Sequence, residues 1–93
     1  MDRTEIDPDG GMIFVFPGLV NVSFWMVDTP MALSVAFLDS DGTILEIQDM
    51  EPFSKTIHTA KDRYRFAIET NLGWFDRHNL NKGDKVNVSL PLG

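Results

Sequence analysis

The stretch Leu33-Ser34-Val35-Ala36-Phe37-Leu38, followed at once by Asp39-Ser40-Asp41-Gly42, constrains this chain more than any other. Six residues are too few for a stable helix, and an apolar run ended by an Asp/Gly turn reads as a strand entering a hairpin. Side chains alternate across a strand, so Leu33, Val35 and Phe37 face one way and Ala36 and Leu38 the other. Both sets are apolar, which predicts a central strand covered on both sides. Residues 43–48 supply its returning partner.

Turn signals recur along the rest of the chain at strand-like intervals. Pro8-Asp9-Gly10-Gly11 opens an apolar run from Met12 to Phe16, which Pro17-Gly18 closes. Residues 22–27, 64–69 and 85–90 read as further strands. In the last of these Val86, Val88 and Leu90 share the buried face, opposite Lys85, Asn87 and Ser89. The segment Asp49 to Asp62 is polar, carries Pro52 and has no period, so it reads as a long loop. One short helix is expected over residues 71–78, with Leu72, Phe75 and Leu80 near one face. Thr70 or Asn71 would cap it and Asn79 would end it in a left-handed conformation. Asn81-Lys82-Gly83-Asp84 is a turn. The expected fold is mainly β, a compact antiparallel sandwich or distorted barrel with that one short helix. No repeat or linker divides the 93 residues, so they form a single domain, with 1–9 as a flexible amino-terminal segment.

Composition excludes several functions. The chain has no cysteine, which rules out a disulfide framework, a thiolate nucleophile and a cysteine-based zinc site. Residues 1–51 carry ten acids against Arg3 alone, a net −9, while residues 52–93 carry seven bases and four acids, a net +3. An overall charge of −6 argues against duplex nucleic acid as a partner, since phosphate contacts need a basic footprint. The polar start has no apolar core of a signal peptide, and no apolar run approaches the roughly 20 residues of a membrane span. A soluble chain without membrane insertion is expected, in a compartment that these residues do not specify.

The runs Gly11-Met12-Ile13-Phe14-Val15-Phe16, Phe24-Trp25-Met26 and Ala36-Phe37-Leu38-Asp39 occur in order, then Gly42, Glu69-x-Asn71-x-Gly73-Trp74-Phe75 and Gly83-Asp84-x-Val86. This series resembles the bacterial and archaeal family known as domain of unknown function 192, over about residues 10–88. The resemblance implies a mainly β fold and carries no activity with it. It also implies two departures. Family members usually have extra β structure before the Gly-Met-x-Phe-Val-Phe segment, so this chain resembles a minimal version, and an uncovered sheet edge would invite a homodimer. The family's usual Phe-Trp-Met-Lys-Asn-Thr and x-Ile-Pro-Leu-Asp are changed as well. Here Val27 stands for the Lys, Asp28 for the Asn, Ala32 for the Pro and Ser34 for the Asp.

The candidate site residues are Trp25, Asp28, Thr29, Arg65, Glu69, Asn71 and Trp74, which put aromatic and polar groups where the family motifs lie. Arg65 and Glu69 share a strand face, either as a surface ion pair or as a polar floor for a ligand. Asn71 and Trp74 follow, as cap and core or as rim and wall. Loss of the family's Lys makes Trp25 more naturally a buried packing residue. Asp39-Ser40-Asp41-Gly42 suggests a calcium loop, but Ile44 and Met50 occupy the places of the required Gly and Glu, so a hairpin turn is the better reading. His58 and His78 lack the spacing of a helical zinc pair, and no nucleophile elbow or triad is present. No metal, cofactor or catalytic residue is assigned. The expected function is a non-enzymatic β-domain that binds a small polar ligand or a protein partner. The alternatives are a hydrolase using loop carboxylates and His58, and an assembly module whose partner completes the sheet.

Overall fold

A computed structural model of the chain describes residues 11–87. Four strands form one antiparallel sheet: β1 (Gly11–Val20), β2 (Leu33–Leu38), β3 (Ile44–Met50) and β4 (Tyr64–Asn71), followed by a single helical turn, α1 (Trp74–Arg77). The spatial order is β1-β4-β2-β3. The fold is therefore mainly β with one short helix, as the turn spacing implied, and its strands make one sheet with a covering layer on each face. Among the described residues no helix is long and apolar enough to cross a membrane.

All six residues of β2 are buried. On one face Leu33, Val35 and Phe37 join Phe24, Met26, Met50, Ala60, Tyr64 and Ala67. The covering layer there comes from the two long connections, residues 21–32 and 51–63. They are tied together by a bridge at which the Phe24 N–H donates to the His58 carbonyl at 2.9 Å and the His58 N–H donates back at 2.7 Å. On the other face Ala36 and Leu38 join Ile44, Phe66 and Phe75, with Trp74, Leu80 and Val86 packed around them. The first face holds a chain of aromatic contacts. Phe37 lies 4.7 Å from Tyr64 and 5.9 Å from Phe24, and Phe14 lies 5.4 Å from Phe24. Tilted and edge-on ring pairs of this kind add roughly 0.5–1.5 kcal/mol each beyond the area they bury.

Several elements differ from the sequence reading, each for a local reason. Residues 22–27 form no strand, because Phe24 alone pairs and a turn follows, with the Thr29 N–H on the Met26 carbonyl at 3.1 Å. Alternation would place Val22, Phe24 and Met26 on the core side of that segment; Phe24 and Met26 are buried, but Val22 is exposed, and Trp25 is 52% exposed, which overturns the expectation of its burial. Strand β1 does not stop at Pro17-Gly18. Its register slips between Val15, opposite Phe66, and Val20, opposite Tyr64. A proline is tolerated there because β1 lies at the sheet edge, where a bulge absorbs it. The β1 sequence from Gly11 to Val20 carries no charged residue.

The helix is shorter than residues 71–78, since β4 continues through Asn71 and Gly73 takes the N-cap at φ 81 with no side-chain cap. Leu72 is exposed instead of packed, while Phe75 is buried and Asn79 ends the turn at φ 57, the left-handed stop that the sequence suggested. Among the described residues the expected final strand contributes a bridge between Lys85 and Thr43. Val88 and Leu90 lie outside the described residues.

The β2–β3 connection is a hairpin turn and not a calcium loop. The Asp39 N–H donates to the Thr43 carbonyl at 3.0 Å, and the Asp39 carboxylate accepts from the N–H groups of Asp41 and Thr43. Hydrogen bonding with the Asp39 side chain, then with the Thr43 hydroxyl and amide, holds the Asp41 carboxyl at about 2, below its ordinary 3.8. The turn is clamped from outside by residues 83–86. The Val86 N–H donates to the Gly42 carbonyl at 2.8 Å, and the Ile44 N–H to the Asp84 carbonyl at 2.8 Å.

Gly42 sits at φ 89, and a Cβ there would fall inside contact distance of the Val86 carbonyl oxygen, whereas Gly83 at φ 94 has open space around it. Gly83→Ala should therefore lose only the backbone term, about 1–2 kcal/mol, and Gly42→Ala at least about 1 kcal/mol more in chemical denaturation. Equal losses would refute the clamp. Tyr64, the single tyrosine, is fully buried and donates its hydroxyl to the Val22 carbonyl. Burial pushes its phenol up to about 12 from 10.0. A raised folded value means that this stabilisation is complete below the unfolded value and is lost as pH rises toward the folded one. Tyrosinate absorbance should thus appear near pH 12 in the native chain and near pH 10 in urea. Coincident titrations would contradict the buried hydroxyl.

Candidate functional site

The one polar side chain in β2 marks the site. Ser34 lies on the α1 face of the sheet, directly opposite Asp49 of β3 and Thr70 of β4, and is 1% exposed. Residues facing each other across a ladder have Cβ atoms about 4.5–5.5 Å apart, close enough for short side chains to bond. The Ser34 hydroxyl donates to the Asp49 carboxylate at 2.9 Å and accepts the Gly73 N–H at 3.0 Å. One buried oxygen therefore joins three elements: β2, β3 and the entry to α1. Gly73 reaches it because the chain turns through a positive φ immediately after β4, a conformation that glycine adopts without strain.

This junction forms one wall of a cavity of about 350 Å³. Ile47, Phe75 and Leu80 give it an apolar floor, and Ser34, Asp49, Asp76 and Asn81 supply polar groups. Phe75 is held in place by burial among Ala36, Leu38, Ile44 and Phe66. Asn81 is fixed by its own turn, in which its N–H donates to the Asp84 carboxylate at 2.7 Å. A cavity of about 390 Å³ lies at the opposite end of β3, lined by Ser40, Asp41, Gly42, Phe66, Lys85, Val86 and Asn87. Its acidic side chain, Asp41, is already engaged in the hairpin turn.

The seven residues singled out in the sequence do not share a cavity among those described. Trp25 borders a shallow apolar depression of about 300 Å³ with Ser23, Phe24 and Ile57, on the face away from α1. Asp28 is exposed in the adjoining turn, and Thr29 is buried beneath it, its carbonyl accepting the Phe53 N–H at 2.9 Å. Arg65 serves the β1 bulge: its Nε donates to the Phe16 carbonyl at 3.1 Å and its guanidinium lies 5.2 Å from the Phe66 ring centre. Glu69 is fully buried, opposite Met12 and Val35, and so is not a surface ion-pair residue. Asn71 ends β4 opposite Leu33. Trp74 is half-buried in α1, stacked on His78 with ring centres 4.1 Å apart.

His58 presents Nδ1 to the Gln48 amide oxygen at 3.2 Å, and the Gln48 amide nitrogen donates to Glu46 at 2.6 Å. An amide thus stands between the imidazole and the carboxylate. Among the described residues no three His, Cys, Asp or Glu side chains gather into a metal-holding group. The acids of residues 39–51 are spread over the hairpin turn and both faces of β3. The residues that converge, Ser34, Asp49, Asp76 and Asn81, were absent from the sequence-based set. One signal could have found them: a lone serine in a strand that is otherwise apolar on both faces.

Comparison with known proteins fits this architecture. No curated protein matches the chain. Two solved structures are similar over nearly all of it. One, from Sinorhizobium meliloti and described as a "putative transcription regulator", is 34% identical with a TM-score of 0.84, covering 91% of this chain and 67% of its own. The other, a protein of unknown function from Novosphingobium aromaticivorans, is 30% identical with a TM-score of 0.86, covering 95% of this chain and 64% of its own. The chain thus spans about two thirds of the length of either structure. Residues 1–88 match the family described as DUF192, Uncharacterized ACR, and the chain belongs to that family.

Proposed function

We propose that this chain is a non-enzymatic binding domain whose ligand is a small polar molecule, held in the cavity between the β3 side of the sheet and α1. The observation that carries the reading is the convergence of Ser34, Asp49, Asp76 and Asn81 over the apolar floor of Ile47, Phe75 and Leu80. Ligand sites commonly combine an apolar lining with a few fixed polar groups in roughly 300–1,000 Å³, and this cavity falls within that range. The fixing comes from the sheet: Ser34 cannot move without disturbing a fully buried strand.

A hydrolytic reading draws less support, because His58 is oriented by an amide and the loop acids do not converge upon it. With a net charge of −6 the chain has no excess of basic residues for duplex DNA.

Two-dimensional amide NMR of the whole chain, screened with sugars, amino acids, amines and nucleosides, tests the reading. At least one class should give saturable shifts at Ile47, Phe75, Leu80 and Asn81. Shifts confined to the Trp25–Ile57 depression, or no shifts at all, would refute it.

A further inference from the structure

We infer that the ligand of this cavity is a small organic cation that donates N–H groups, an ammonium or guanidinium on a short aliphatic chain. The inference rests on the binding reading above and concerns which chemistry the cavity selects. The polar lining consists of one hydroxyl, two carboxylates and one amide, with no basic side chain. The hydroxyl is committed, since Ser34 donates its only proton to Asp49 and accepts the Gly73 N–H. The groups left to a ligand are therefore mainly acceptors.

Asp49 keeps acceptor capacity beyond the single bond from Ser34, because an ionised carboxylate has about four lone-pair sites. Asp76 brings the second carboxylate from α1. The neighbouring base, Arg77, lies beside the lining residue Gly73, where its Nη1 donates to the Leu72 carbonyl at 2.9 Å. Asp49 and Asp76, both exposed at the rim, outnumber the single Arg77 guanidinium beside Gly73, so a cation meets more complementary charge here than an anion does. The Ser34 bond adds positioning: by holding one carboxylate oxygen it fixes the plane of the Asp49 group toward the cavity. The floor of Ile47, Phe75 and Leu80 then takes the methylene chain of such a ligand.

The test compares three probes of similar length by amide NMR of the whole chain: agmatine, which is cationic, butanediol, which is neutral, and succinate, which is anionic. Agmatine should shift Ile47, Phe75, Leu80 and Asn81 saturably, and neither of the others should. Asp49→Asn should weaken agmatine by about tenfold, the loss of one charge-assisted contact. Asp41→Asn, at the other end of β3, should leave agmatine binding unchanged. Stronger shifts with butanediol or succinate, or unchanged agmatine affinity in a folded Asp49→Asn chain, would overturn the inference while leaving the cavity as a binding site. Should all three probes fail while a sugar or nucleoside shifts the same residues, the ligand class alone falls. If nothing shifts them, the binding reading falls with it.

Discussion

Strand β2 has no solvent-facing side, and the rest of the molecule is arranged around that fact. Its six buried residues require a cover on each face, so the two long connections close over Leu33, Val35 and Phe37 while α1 and the segment after it close over Ala36 and Leu38. A polar atom in such a strand costs roughly 1–3 kcal/mol unless it is bonded. Ser34 meets that demand with Asp49 and Gly73, and in doing so links the only buried hydroxyl of β2 to the geometry of the cavity. Stability and site geometry are thereby set by the same oxygen.

The turn at the other end of β2 shows the same economy of contacts. Asp39, Asp41 and Thr43 satisfy one another within the hairpin, and residues 83–86 lie against it through backbone bonds, with Val86 packed on the cluster that holds Ile44 and the Lys85 charge facing Asp41. Motif resemblance to a cation loop therefore reflects a shared need for acidic side chains to cap backbone amides in a tight turn. Arg65 is comparable, since its guanidinium bonds the Phe16 carbonyl at the bulge in β1. The family motif around Gly73 also acquires a physical reason: the glycine permits the positive φ that brings its N–H to Ser34.

How much of this was legible in the residues depends on range. Alternation in β2, the Asp-Gly turn, the long loop and the left-handed Asn79 are local, and local sterics and side-chain chemistry reveal them. Burial of Phe24 and Met26 with exposure of Trp25 needs knowledge of what covers the segment, which a distant bridge to His58 supplies. Glu69 looked like a surface charge because its strand alternates, yet both faces of β4 are covered, so alternation lost its meaning there. The cavity was hidden for a related reason: Ser34, Asp49, Asp76 and Asn81 come from four places in the chain and meet only through sheet register and the turn into α1. Of the two aromatic candidates, Trp25 is exposed and Trp74 packs half-buried on the α1 face.

The claim on which the account depends is that the Ser34 hydroxyl holds the entry to α1 against the sheet. Amide hydrogen exchange of Gly73, measured in the native chain and in Ser34→Ala, tests it most directly, because exchange reports local opening residue by residue. The account predicts a protected Gly73 amide that becomes fast in Ser34→Ala while the amides of Val35 and Phe37 keep their native protection. A Gly73 amide equally protected in both proteins would contradict it.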